Sequence, residues 1–335
     1  MDEPTAALSP HEAETLFATV RRLRDGGVVI VFISHRLEEV TELADTVTVL
    51  RDGGHVTTRP TAELPHGEII RLMVGRSLDA FFPKEEAEIG DVMFKAERLT
   101  RRGVFSEVSF ELRRGEIVGL AGFVGSGRTE VARAIFGIDR LDSGALAIDG
   151  RRFRPRSPRA ALRRGLAYLP EDRLNQGLVQ TMSIAQNTSM AVLPTLTPGG
   201  LLQPWRERSL ARRFVEQLRI RATSVAQVVR SLSGGNQQKV VLSKWLAANP
   251  RVLILDEPTH GVDVGTKADV HRTISGLAAQ GMTILLISSE LLEVLGMSDR
   301  VLVMREGRLV AELTREEATQ ERVIQAAAGV SEEAA

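Results

Sequence analysis

The chain has 335 residues, 43% of them apolar, and its 43 basic and 43 acidic residues cancel. There is no cysteine, which excludes a disulfide framework and thiolate chemistry, and the zero balance gives no sign of a nucleic-acid partner. The longest apolar runs, "VVIVFI" at 28–33 and "MTILLI" at 282–287, are strand-length, well short of the roughly 20 residues a membrane helix needs.

In chain order, the first feature is "MDEPT", two carboxylates followed by Pro and Thr. Residues 28–33, rich in Val and Ile, predict a strand, and an amphipathic segment follows at 36–44. "DTVTVLRDG" alternates and ends in a Gly turn, as hairpin strands do. Residues 78–91, "LDAFFPKEEAEIGD", combine Pro, Gly and acids and predict a linker. Beyond it, the apolar strand at 117–121 runs straight into "GFVGSGRT". An Arg-rich run at 151–164 predicts a solvated face, with docking to an anionic surface as the alternative. Helical spacing marks 206–219 and 265–280, and "LSGGNQQK" at 232–239 lies between them. The apolar run 252–255 then delivers Asp256 and Glu257 to a strand end. A last strand at 282–287, an amphipathic segment at 290–296 and the hairpin "DRVLVMREG" follow.

These features recur at an offset of 254. Asp2, Glu3, Pro4 and Thr5 match Asp256, Glu257, Pro258 and Thr259; Ile33 and Ser34 match Ile287 and Ser288; Glu39 matches Glu293, and Gly53 matches Gly307. One ungapped register predicts two copies of one α/β unit: the C-terminal part of a first at 1–77, the linker at 78–91, and a complete second at 92–331. On this count roughly 160 residues of the first copy lie outside the chain, an N-terminally truncated arrangement. Alternating strands and helices predict a mostly parallel sheet covered by helices.

Three motifs carry chemistry. Gly122, Gly125, Ser126, Gly127, Arg128 and Thr129 form a G-x-x-x-x-G-[K]-[ST] loop with Arg in the Lys slot. After a strand and before a helix, such a loop points backbone N–H groups at phosphates, and Thr129 offers a hydroxyl to Mg²⁺; an ordinary strand–helix turn is the alternative. Asp256 would hold the metal and Glu257 polarise a water. Ser233, Gly234, Gly235 and Asn236 open a helix and form a second anion-binding end.

Here the sequence resembles the ABC ATPase family, and within it the fused tandem ATPases of monosaccharide importers. "GRTE", "PEDR", "LSGGNQQK", "LDEPT.GVDVG" and "ISSE" resemble their second half; "ISHRLEEV" and "MVGR" resemble the end of their first. The resemblance implies an α/β P-loop fold of ABC type, with a mixed sheet and a helical signature subdomain, preceded by part of a second copy. It implies ATP and Mg²⁺ as cofactors and two composite sites, each made from the Gly-rich loop of one copy and the signature of the other. One would use Asp2 as metal ligand, Glu3 and His35 as catalytic residues, and residues 233–236 as the opposing signature. The other would use residues 122–129, Asp256, Glu257, Glu171 in a slot the wider family fills with Gln, and Ser289 where the first copy has His35. Phe105 would stack on adenine. The resemblance further implies membrane permease subunits as partners, contacted through the segment 171–191, a sugar-binding protein acting indirectly, dimerisation through nucleotide-binding domains, no nucleic acid, and a cytoplasmic chain held at the inner membrane face. Two rivals remain: a nucleotide-binding remnant with little turnover, and a soluble ABC ATPase of translation or repair.

Overall fold

The computed structural model describes residues 1, 4–5, 10–34, 37–51, 53–65, 68–69, 72 and 82–329. The chain divides into two compact units, Met1–Phe81 with Asp263–Ala268, and Phe82–Val262 with Asp269–Ala335.

The first unit contains α1 (Pro10–Asp25), α2 (Leu37–Leu43) and an antiparallel hairpin of β1 (Thr46–Arg51) and β2 (Gly54–Pro60). Ala13, Phe17 and Val20 recur at helical spacing on α1 and bury against Leu43, while Val47 and Val49 pack with Leu64 and Ile69. Buried Glu39 accepts from Thr5 Oγ1 at 2.7 Å and Ser34 Oγ at 3.1 Å.

Residues 28–33, expected as a strand, do not form one. Met1 N donates to Val31 O and Ile33 N donates to Met1 O, an isolated bridge. Val29 is 92% exposed and Val31 70%. A central strand is held by ladders on both edges and covered on both faces; here the described residues offer only one bridging partner.

The second unit has two sheets. A four-stranded antiparallel sheet is ordered β4 (Phe105–Arg113), β3 (Val92–Arg101), β6 (Ser143–Ile148), β7 (Arg151–Phe153). A six-stranded sheet is ordered β12 (Arg308–Thr314), β11 (Arg300–Arg305), β5 (Ile117–Gly122), β10 (Thr283–Ile287), β9 (Val252–Asp256), β8 (Leu166–Leu169). It is parallel except for the β11–β12 hairpin. Its central strands are buried on both faces, which is why they read as unbroken apolar runs.

One face packs with α3 (Arg128–Phe136), α4 (Pro158–Arg163) and the smaller sheet. The other packs with α6 (Pro204–Gln217), α7 (Gly234–Leu246) and α8 (Val264–Ala279); α5 (Ile184–Ser189) adds Ile184 to that layer. The last elements among the described residues are α9 (Leu291–Met297), β11, β12 and α10 (Gln320–Ala328).

The part of the expected linker from Phe82 onward has no regular secondary structure, yet it is docked on the second unit. The Phe82 ring lies 5.1 Å from His271, Lys84 Nζ lies 2.7 Å from Asp299 Oδ2, and Ser275 Oγ lies 2.6 Å from Glu85 N. Residues 78–81 lie outside the described residues.

Candidate functional site

The candidate site forms where three parallel strands end together. β10 lies between β5 and β9, with Ile287 paired to both Leu120 and Asp256. The chain leaving these strands brings the loop 122–129, Asp256–Glu257 and Ser288–Ser289 to one edge, although more than 100 residues separate the first from the others. In open α/β sheets the carboxyl ends of the strands are where ligands bind.

The loop is built around glycines. Gly122, Gly125 and Gly127 have φ of 151°, 81° and 99°. At Gly122 a Cβ would come within 2.4 Å of Met304 O and 2.7 Å of Ser126 Oγ, so a side chain cannot be placed there. Gly127 caps α3 in the left-handed region, and Gly307 N donates to Ser126 O at 2.9 Å. Ser126 Oγ is buried without a hydrogen-bond partner.

Arg128 is buried, and Nη1 donates to Ser288 O at 2.5 Å, which ties the start of α3 to the end of β10. Burial pulls its pKa down against the charges of Glu257, Asp256, Glu171 and Glu130. A single contact leaves the other guanidinium N–H groups, so the fork can hold the strand end and still face an anion.

Asp256 is fully buried. Thr129 Oγ1 donates to its Oδ1 at 3.2 Å, and Tyr168 OH donates to its Oδ2 at 2.8 Å. Burial raises the Asp256 carboxyl to about 6 despite these bonds, and pushes the Tyr168 phenol up as well. Glu257 leaves β9 at φ 50°, its N–H donating to Ile287 O at 2.9 Å and its Oε2 accepting from Ser289 Oγ at 3.1 Å. Burial raises it to about 8; Arg128 opposes the rise, and the buried Glu293 charge adds to it. A non-glycine residue in the left-handed region carries a backbone cost of about 1–3 kcal/mol, and such residues cluster at functional sites.

Behind this edge His271 Nε2 and Glu293 Oε1 pair at 2.7 Å, both side chains 1% exposed. Burial alone would raise Glu293; His271, with the Ser288 and Thr259 hydroxyls, holds it below its ordinary value instead. Glu293 thus takes the place in the second unit that Glu39 takes beside Thr5 and Ser34 in the first.

The loop 122–129, Asp256, Glu257 and Ser289 therefore converge, and Glu171 is exposed nearby, close enough for its charge to raise Asp256. Residues 233–236 stand apart: Asn236 accepts from Arg221 N at 2.8 Å and donates to Ser233 Oγ at 2.9 Å. Among the described residues no hydrogen bond joins them to the Gly-rich loop. Asp2, Glu3 and His35 lie outside the described residues. Phe105 is corrected: at 3% exposure it belongs to the core between the sheets, leaving no ring face for an adenine.

Two contributors escaped the sequence reading. Tyr168, the chain's one tyrosine, lies within the buried strand β8, and a phenol there had to meet a partner. Arg173, within "PEDR", donates to His260 O at 2.5 Å and Gly261 O at 2.8 Å, and a Cβ on Gly234 would meet its Nη2 at 2.9 Å. It links the turn after Glu257 to the start of α7.

The oxygens of Thr129 and Asp256 suit Mg²⁺, which takes one or two carboxylates and completes its shell with water and substrate phosphates. Among the described residues there is no group of three or more His, Asp or Glu side chains that would hold a metal by itself.

Fold and site together define a P-loop nucleotide-binding domain. The ABC transporter family profile matches residues 105–260. The chain is 54% identical over 329 residues to the ribose import ATP-binding protein RbsA 2 of Streptomyces avermitilis, covering 98% of this chain and 65% of that protein. It is 52% identical over 336 residues to the ribose import ATP-binding protein RbsA 1 of Rubrobacter xylanophilus, covering 100% of this chain and 67% of that one. Among solved structures, cbiO1 from Clostridium perfringens, part of an ABC transporter complex, superposes with TM-score 0.59 at 22% identity over 70% of this chain and 93% of that one, a likeness of fold. The chain belongs to the family of ABC transporter ATP-binding proteins. It spans about two thirds of the length of the curated relatives it matches.

Proposed function

We propose that this chain binds Mg-ATP through residues 122–129, Asp256 and Glu257, and that in the whole protein this binding and its hydrolysis drive import of a monosaccharide through a membrane permease. The observation that carries the reading is the convergence of a glycine-built loop, an Arg128 tied to the end of β10, and two carboxyls at the end of β9. The backbone donors and Arg128 would take the phosphates, with Thr129 and Asp256 holding Mg²⁺. When bound, the metal neutralises phosphate charge and lowers the pKa of nearby carboxyls. Glu257 at about 8 carries a proton at neutral pH, so it accepts one from water only after added positive charge lowers it. Ser289, in place of an imidazole, offers a hydroxyl that does not titrate near neutral pH. This site therefore favours binding over turnover.

By the 254-residue offset, Asp2, Glu3 and His35 would serve a second composite site, with residues 233–236 as its signature. The permease would dock on the segment 171–191, where Leu174, Val179 and Met182 are exposed among polar neighbours. Among the described residues no helix is long and apolar enough to cross a membrane, so a place at the inner membrane face would come through that partner.

Titration of the chain with a fluorescent ATP analogue in Mg²⁺ should give saturable binding that weakens on the order of 10–100-fold in Arg128→Ala, the worth of a charged hydrogen bond. Turnover should stay below about 1 s⁻¹. Enzyme-like turnover that disappears in Glu257→Gln, or binding unchanged in Arg128→Ala, would overturn this assignment.

A further inference from the structure

A cavity of about 290 Å³ opens at the far end of α3 from the Gly-rich loop. It is lined by Gly137, Ile138, Asp139, Arg140 and Leu141 on one side and by Arg154, Pro155 and Arg156 on the other. With α3 nine residues long, the cavity and the loop stand about 13 Å apart along the helix axis.

Its walls are fixed. A Cβ on Gly137, at φ 77°, would come within 3.0 Å of Pro155 Cβ and 3.1 Å of the Ser157 backbone, so the two wall segments close on each other at a glycine. Leu141 and Pro155 are buried and supply an apolar floor. Arg154 is pinned, its Nη2 donating to Leu141 O at 2.7 Å.

The charges in and around it are one-sided. Asp139 is the carboxylate of the lining, and it is already held between Arg101 Nη1 at 2.9 Å and Arg133 Nε at 2.9 Å. Its nearest acidic neighbour in sequence, Asp142, accepts from Arg102 N at 2.8 Å. The C-terminal carbonyls of α3, whose partial negative charge would repel an anion, are capped: Gly137 N donates to Ala134 O and Ile138 N to Arg133 O. Neither Arg140 nor Arg156 makes an ion pair or hydrogen bond with the described residues. Three guanidiniums thus line the cavity, and its carboxylate is already engaged by two arginines outside the lining.

We propose that this cavity binds a small phosphate-bearing anion at a site separate from the nucleotide loop, with Arg140, Arg154 and Arg156 as its ligands. Planar guanidiniums match phosphate oxygens bidentately, and the volume suits a diphosphate or a small phosphorylated metabolite better than a nucleotide. The same chemistry is carried by lipid headgroups; a concave site closed at its base by Gly137 and Pro155 favours a free anion. The inference does not depend on the nucleotide reading.

Inorganic pyrophosphate is the probe, titrated calorimetrically into the full chain with and without saturating Mg-ATP. Pyrophosphate should bind saturably in the presence of Mg-ATP, and its affinity should fall at least tenfold in Arg140→Ala/Arg156→Ala, with an unchanged melting temperature. If the double variant is poorly folded, Arg156→Gln alone should lower the affinity severalfold. Complete displacement of pyrophosphate by Mg-ATP, or equal affinity in the folded variant, would overturn the site. So would co-sedimentation with phosphatidylglycerol vesicles, lost in the double variant, without saturable pyrophosphate binding: that outcome assigns the arginines to a membrane surface.

Discussion

Glu257 shows how much a single position depends on its surroundings. Its carboxyl ordinarily titrates near 4.5, and here burial holds it at about 8. The folded chain therefore keeps a proton that the unfolded chain has lost between those two values. The neutral carboxyl's contribution is fully present below about 4.5 and disappears as pH rises through about 8. Glu257→Gln cannot titrate, so the melting temperature of the unaltered chain relative to this variant should fall between pH 5 and pH 8, by an amount on the order of a few degrees. Differential scanning calorimetry at the two pH values tests it; a constant difference would mean that the carboxyl is not held neutral. Asp256, raised to about 6, titrates in both proteins, and its charge adds to the rise of Glu257.

At the scale of elements, strand order does most of the work. The loop 122–129, the carboxyls after β9 and the serines after β10 were legible as pieces, because each follows an apolar run with its own punctuation. What brings them together is that β10 inserts between β5 and β9, a ladder of non-local hydrogen bonds with no local sequence signal. Arg173 belongs to this scale as well. It holds the turn at His260 and Gly261 by two bonds to backbone carbonyls, and nothing in "PEDR" indicates which carbonyls it will find. Arg173→Ala should cost about 1–3 kcal/mol in denaturant unfolding and speed amide exchange at His260 and Val262. Unchanged exchange there would show that the turn holds itself.

For the molecule as a whole, several elements stand at the same 254-residue offset as the matching stretches of sequence. Pro10–Asp25, Leu37–Leu43, Thr46–Arg51 and Gly54–Pro60 each have a counterpart displaced by 254 residues in α8, α9, β11 and β12. Both hairpins carry an irregularity at the same place, between Val49 and Leu50 and between Val303 and Met304. The two units differ at residues 28–33: the same kind of run is buried as β10 in one and exposed in the other. Exposed apolar edges favour association. Val29→Lys/Val31→Lys should therefore reduce concentration-dependent self-association in light scattering while leaving the main melting transition within about 1–2 °C, since neither side chain is in a core. Unchanged association would place the sticky surface elsewhere.

By itself the sequence determined the family, the repeat and its offset, and the residue types of the phosphate loop and acid pair, because these are written in local spacing: glycines where only glycine fits, and apolar runs that end in polar groups. Tertiary structure alone decided that Arg128 ties itself to Ser288, that Tyr168 bonds Asp256, that Phe105 is core, and that residues 28–33 do not become a strand. Each of these depends on a neighbour far away in the chain. The energy of a buried polar group or of a strand edge lies in the partner that meets it, and the sequence around either residue does not say which partner that will be.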